Sequence, residues 1–308
     1  MDTRITGTGV ALITPFTAQG EVDYEGLRNV VEHVITGGVD YLVVNGTTGE
    51  SATTTEEEKN SILAFVKEVN KGRKPIMYGL GANNTAAVLT KISKTDFTGV
   101  DAILSVCPYY NKPSQEGIYQ HYAAIAAKSP IPVMLYNVPG RTGVNMTAET
   151  TLRLSKVVNI MGIKDACPDL TQALEIAQNA PAGFQLVSGD DMLTVPFISV
   201  GGKGLISVLA NAYPAQFSGL TRKALNNDFK GAAKDLAVFT EINPLMYSEG
   251  NPVGVKQVME NLGICGAEVR LPAVKGSVGL QAKIKAAQAK IKQEKERETE
   301  TERGKKLA

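Results

Sequence analysis

Eight short runs rich in Val, Ile and Leu recur along the chain, each followed by a loop and then a segment with helical spacing. No other feature of the sequence restricts the fold as strongly. The runs are GVALITPF (9–16), YLVVNG (41–46), PIMYGLG (75–81), DAILSVCP (101–108), PVMLYNVP (132–139), NIMGIKDA (159–166), FQLVSGD (184–190) and GLISVLA (204–210). Between them lie segments such as YEGLRNVVEHVITGG, TEEEKNSILAFVKEVN, TAAVLTKISKTDF and QEGIYQHYAAIAAK, whose apolar residues return every three or four positions. Continuously apolar strands that alternate with helices indicate a parallel sheet covered on both faces. Eight such units fit a closed (β/α)8 TIM barrel, which its own side chains fill and which leaves no edge to protect.

The eighth unit is complete near residue 227, so the barrel is expected over 1–227. A helical C-terminal subdomain is expected over 228–308, read from NNDFKGAAKDLAVFTEINPLM, PVGVKQVMENLG and KGSVGLQAKIKAAQAKIKQ. From about residue 292 the charged tail KQEKERETETERGKKLA has no apolar face to bury and is expected to be an exposed helix extension or disordered. Of the 308 residues 43% are hydrophobic, enough for a large core. Thirty-two basic against 31 acidic residues leave a formal charge of +1, so neither nucleic acid nor an anionic membrane is an expected partner. Cys107, Cys167 and Cys265 show no CxxC spacing and read as reduced thiols. The opening MDTRITGTGVALITPF lacks a basic region before its apolar run, and no stretch is long enough to cross a bilayer. A soluble, unprocessed, cytoplasmic protein is expected.

In a barrel of this kind the working groups stand at the C-terminal ends of the strands and on the loops after them. Those ends contain no histidine, and His33 and His121 both fall in helical patterns, which argues against a histidine-rich metal centre. Glu50, Asp190 and Asp191 offer oxygen ligands for magnesium, although carboxylates at such places more often cap helices or bind backbone amides. No GxGxxG follows the first strand, so the dinucleotide fingerprint is missing. The glycines of SVGGKGLISV (199–208) suit either a phosphate cradle near strands seven and eight or a plain tight turn.

Lys164 is different, because it follows Ile160, Met161, Gly162 and Ile163 in what reads as a buried strand. An ordinary amine, with a pKa near ~10.4, is protonated at neutral pH and is a poor nucleophile; apolar enclosure disfavours the ammonium. A lysine at this place suits Schiff-base chemistry on a carbonyl substrate, and equally suits a stem that packs while its head reaches water. Tyr136 ends the preceding strand and is suited to moving protons at the carbinolamine oxygen, or to bonding a backbone carbonyl. Gly46, Thr47 and Thr48 form a loop of small donors fit for a carboxylate, or a turn with a helix cap. Arg141, on the loop after Tyr136, is suited to gripping a second carboxylate.

GTTGESAT (46–53), PYYNKPSQEG (108–117), YNVPGRTG (136–143) and IKDA (163–166), in this order, resemble the dihydrodipicolinate synthase family of pyruvate-dependent aldolase-like lyases over residues 7 to 280. The resemblance implies that Lys164 forms the Schiff base with pyruvate and that Tyr136 and Thr47 belong to a proton relay. It implies that Gly46 and Thr48 hold the pyruvate carboxylate, and that Tyr110 is inserted into a neighbouring subunit's site. Arg141 then matches the arginine for the carboxylate of L-aspartate 4-semialdehyde, and Gly189 and the Ile206 carbonyl lie near the lysine and the second substrate. The implied product is 4-hydroxy-tetrahydrodipicolinate, in diaminopimelate and lysine biosynthesis, made by a homo-oligomer that is usually a tetramer built as a dimer of dimers. No metal or organic cofactor is implied. Sialic acid lyase and the sugar-acid aldolases share the lysine and the tyrosine, and Arg141 favours the synthase; a non-catalytic sensor barrel is the alternative from another class.

Members inhibited by lysine carry an effector pocket at the subunit interface. At its positions Ser51, Ala52, Asn83 and Tyr109 match here, while Glu56, Lys59 and Ala87 replace two histidines and a glutamate. An ammonium at 59 repels a cationic effector and Ala87 removes a carboxylate that would attract one, so feedback inhibition by lysine is expected to be weak or absent.

Overall fold

The structure, a computed structural model, describes the backbone of residues 5–307 and the side chains of 5–294, 296 and 297. The first residues of the segment read for a leader, and Ala308, lie outside the described residues. Eight strands close in chain order into one parallel barrel. They are β1 (Gly7–Ala11), β2 (Tyr41–Val44), β3 (Ile76–Gly79), β4 (Ala102–Val106), β5 (Val133–Asn137), β6 (Ile160–Asp165), β7 (Gln185–Ser188) and β8 (Gly204–Ser207). The barrel helices are α1 (Tyr24–Thr36), α2 (Glu56–Asn70), α3 (Thr85–Lys94), α4 (Gln115–Lys128), α5 (Pro139–Thr142), α6 (Ala148–Leu154), α7 (Leu170–Asn179), α8 (Thr194–Ser199) and α9 (Pro214–Leu225). After them come α10 (Phe229–Ala237), α11 (Val253–Asn261) and α12 (Val278–Leu307).

Alternation along the strands produces two apolar layers. One fills the barrel interior and includes Ala11, Val43, Met77, Leu104, Met134, Tyr136, Val187 and Ile206. The other lies between strands and helices and includes Val10, Leu42, Ile103, Leu135, Ile163 and Leu186 with Val30, Val66, Ile125 and Phe217. The helices start where the sequence supplies caps: Asp23, Thr55, Ser114, Thr147 and Asp169 each accept a backbone N–H of the first turn.

Two expectations need adjustment. The first apolar run, read through Phe16, leaves the ladder early: Leu12 N–H still reaches the Val43 carbonyl, but Ile13 N–H turns to the Asn211 side chain. The glycines of 199–208 are not a phosphate cradle. Gly201 and Gly202 precede β8, at the barrel end opposite the strand C-termini, and a Cβ on Gly204 would lie 2.0 Å from the Gly7 carbonyl oxygen. Their smallness serves close backbone approach where β8 meets β1. The charged tail continues α12 as helix to Leu307; Leu280, Ile284, Ala287 and Ile291 bury its first half, and Lys292, Gln293 and Glu294 beyond them are exposed.

Candidate active site

Lys164 and Tyr136 are direct register partners on β6 and β5. Both side chains enter the barrel mouth, and Lys164 is 6% exposed. Its Nζ lies 4.2 Å from the centre of the Tyr136 ring. Among the described residues no carboxylate pairs with this amine. Asp165, the adjacent residue, points the other way and is held by Asn137, Gln172 and the Cys167 N–H, with burial pushing its carboxyl pKa up. Gly189 backs the lysine: a Cβ there would stand 3.1 Å from Lys164 Cε and 2.8 Å from Ala166 Cβ. Ile206 belongs to the buried interior layer with Tyr136.

A cavity of about 460 Å³ opens over this pair and is lined by Gly46, Thr47, Thr48, Val138, Arg141 and Tyr109 among others. The loop after β2 folds back on itself, with Gly49 N–H on the Gly46 carbonyl and Glu50 N–H on the Thr47 carbonyl. Thr14 donates to the Gly49 carbonyl, at 2.7 Å. Thr47 is exposed to the cavity mouth, whereas Thr48 is buried. Arg141 is carried by the one-turn helix α5 that Pro139 begins. It is exposed and forms no ion pair among the described residues, leaving its guanidinium open to an anionic group.

The magnesium alternative does not fit, because its carboxylates are committed elsewhere. Glu50 is paired with Lys256. Asp190 accepts from the Met192 and Leu193 amides, and Asp191 from Ser207 and the Val208 and Leu209 amides. The three thiols are free, and burial pushes Cys107 and Cys265 up to about 12, which keeps them protonated and inert.

Tyr110 does not line the cavity. It is 89% exposed, with φ of 73°. Sequence reasoning also passed over three side chains that bear on the site. Asn251 donates to the Thr48 hydroxyl, Lys256 binds Glu50, and Lys91 reaches the carboxylate of Glu56. Their partners are far away in the chain and no periodicity signals them.

The model of the Dihydrodipicolinate synthetase family matches residues 4–291. The chain belongs to this family. It is 59% identical to the 4-hydroxy-tetrahydrodipicolinate synthase of Cytophaga hutchinsonii over 92% of this chain and 96% of the relative. It also resembles the chloride-inhibited dihydrodipicolinate synthase of Acinetobacter baumannii, solved with pyruvate, with a TM-score of 0.90 and 35% identity over 93% of this chain and 99% of that one. A structure described as the first monomeric dihydrodipicolinate synthase variant matches with a TM-score of 0.90 and 34% identity, covering 94% of this chain and 97% of that chain.

Of the seven positions compared with the effector pocket of dihydrodipicolinate synthases, Ser51, Ala52, Glu56, Lys59 and Tyr109 line an extension of the same cavity. Asn83 binds the Tyr109 carbonyl, and Ala87 sits in the first turn of α3; neither is on the wall. Lys59 is not a bare charge: Glu56 Oε1 lies 3.0 Å from its Nζ and 2.9 Å from that of Lys91. Two ammonium groups thus share one carboxylate, whose pKa they lower against the opposing effect of burial.

Proposed function

We propose that the chain is a 4-hydroxy-tetrahydrodipicolinate synthase, a metal-independent class I aldolase-type lyase that joins pyruvate to L-aspartate 4-semialdehyde. The observation that carries this reading is the amine of Lys164, buried over the Tyr136 ring in one cavity with Thr47, Thr48 and Arg141. Lys164 adds to the pyruvate ketone, and loss of water gives an imine. Loss of a methyl proton gives the enamine, whose carbon attacks the aldehyde of the second substrate and forms the new C–C bond. The substrate's own amine then attacks the imine carbon, closing the ring and returning Lys164 as a free amine. Tyr136 and Thr47 carry protons to and from the carbinolamine and the new alkoxide, with Tyr110 completing the relay from a neighbouring copy. Gly46 and Thr48 hold the pyruvate carboxylate, Arg141 holds that of the semialdehyde, and Gly189 and the Ile206 carbonyl border the lysine and the second substrate. No cofactor takes part. We infer further that the protein works in the cytoplasm as a homo-oligomer.

Reduction with borohydride in the presence of pyruvate tests the chemistry: one adduct per chain on Lys164 is expected, and an unmodified chain refutes the imine. A coupled assay then separates the substrates, with turnover of aspartate semialdehyde expected and cleavage of sialic acid or keto-deoxy sugar acids not. Free lysine is expected to inhibit weakly or not at all, because Lys59 and Lys91 outnumber the one carboxylate between them. Half-inhibition at sub-millimolar lysine in a steady-state assay would refute that part.

A further inference from the structure

The loop that carries Thr47 and Thr48 is anchored from outside the barrel. Two residues beyond Thr48, Glu50 turns its carboxylate inward onto Lys256 of α11, 2.5 Å away. Lys256 is fully buried, and its Nζ also donates to the Glu268 carbonyl at 2.7 Å and lies 4.3 Å from the centre of the Phe16 ring. The second oxygen of Glu50 accepts the Arg270 N–H at 3.1 Å. Just before α11, Asn251 donates to the Thr48 hydroxyl oxygen at 2.9 Å. That bond occupies an acceptor site on Thr48 and leaves the hydroxyl hydrogen for another partner.

Stability alone is a poor reason for this pair. Exchange of a buried ion pair for apolar side chains is often neutral or stabilising, whereas its geometry is specific. Glu50 has φ of 54°, a conformation that glycine adopts freely and glutamate adopts at a cost. A glycine would suit the backbone here, so the feature that the position needs is the carboxylate.

We propose that Glu50 and Lys256 are positioning residues, which hold the 46–50 loop in its carboxylate-binding shape by tying it to the C-terminal helices. The inference rests on the reading of that loop given under Proposed function. The pair touches no substrate and acts through the placement of Gly46 and the Thr48 hydroxyl. The catalytic amine stands on a different strand and is unaffected by the tie.

Three variants of increasing severity test this: Glu50→Gln, Lys256→Met, and the double variant Glu50→Gly with Lys256→Met, which removes both buried charges and relaxes the backbone. Lys275→Met is the control, since Lys275 pairs with Glu260 and Glu268 on the same C-terminal segment without reaching the loop. The readouts are cooperative melting and the pyruvate concentration that half-saturates borohydride trapping at Lys164. The folded variants of the pair are expected to trap the same adduct at saturating pyruvate, with half-saturation raised about tenfold or more, while the control matches the unaltered protein. Half-saturation within twofold in any folded variant of the pair overturns the proposal. Failure of all three to fold would make the pair a folding requirement and overturn it as well. Absence of an adduct in the unaltered protein is a different result, which refutes the imine chemistry itself.

Discussion

Among the described residues two lysines, Lys164 and Lys256, are withdrawn from water, and they differ in what they meet. Both lie over an aromatic ring, but Lys256 also meets a carboxylate and a carbonyl, while Lys164 opens onto a cavity. Hydrophobic surroundings in the sequence mark Lys164, since four apolar residues precede it. Nothing comparable marks the partnership of Lys256, because Glu50 lies 206 positions away. The space behind Lys164 is equally specific. Gly189→Ala would put a methyl 3.1 Å from Cε and 2.8 Å from Ala166 Cβ, so Ala166 must shift and the lysine chain must give way with it. Trapping at Lys164 is expected to slow by about tenfold or more, since small misplacement of a reacting group is costly, with the melting temperature lowered by only a few degrees. Asp191 gives a pH signature. Burial, opposed by Ser207 and the Val208 and Leu209 amides, pushes it up to about 6 from 3.8. A raised carboxyl pKa means that the folded chain binds the proton more readily than the unfolded one. This group therefore costs stability as pH rises from about 4 to 6, on the order of 3 kcal/mol in full. His121 has the opposite sign: burial lowers it to about 4 from 6.5, so its contribution is lost as pH falls through that window. Melting of the Asp191→Asn variant, compared with the unaltered protein between pH 4.5 and 8, is expected to fall more steeply on the acid side. Parallel curves would show that Asp191 does not titrate there.

At the scale of elements, closure of the barrel depends on β8, which pairs with β1 on one side and with β7 on the other. Gly204 is in register with Gly7 on β1 and Val187 on β7. Its φ of 156° and the 2.0 Å that would separate a Cβ from the Gly7 oxygen leave no room for any side chain. Gly204→Ala is expected to cost several kcal/mol, about 3 or more, read as a large loss of melting temperature or of soluble protein; a variant that melts within two degrees of the unaltered protein would contradict the close approach. The eight strands were legible because buried parallel strands are continuously apolar, and the longer helices because one face repeats every three or four residues. Where those signals stop, reading stops too. The helix α8 spans six residues with Pro196 inside it and offers no face to count. The apolar stretch Leu12–Ile13 looks like more strand, yet Asn211 has taken over the Ile13 amide. The glycines before β8 resemble a binding loop until their end of the barrel is known. Distance in sequence hides the rest: Asn251 on Thr48, and Lys91 beside Lys59, follow from the closed fold and not from any local pattern.

At the scale of the whole molecule, the position of Tyr110 is the feature that one copy leaves unexplained. A tyrosine 89% exposed, next in sequence to the cavity-lining Tyr109, presents a large aromatic surface to water. Aromatic side chains held out in this way are favoured at interfaces, where an apolar ring and a polar tip are both used. If Tyr110 completes the relay of a neighbouring copy across a two-fold interface, each site draws its amine from one chain and this phenol from the other. Mixed assemblies test that arrangement directly. Tyr110→Phe keeps Lys164 but lacks the phenol, and Lys164→Ala keeps the phenol but lacks the amine, so each alone is expected to lose activity, the former by about a hundredfold or more. In a mixed pair one of the two sites regains both groups. Equal amounts of the two variants, allowed to exchange subunits, are thus expected to recover about a quarter of the unaltered activity, since half of the pairs are mixed and one site in each is whole. The same preparation is expected to show by light scattering a mass that is a multiple of 32.8 kDa. No recovery after verified exchange would place Tyr110 in the service of its own chain, or of no site at all.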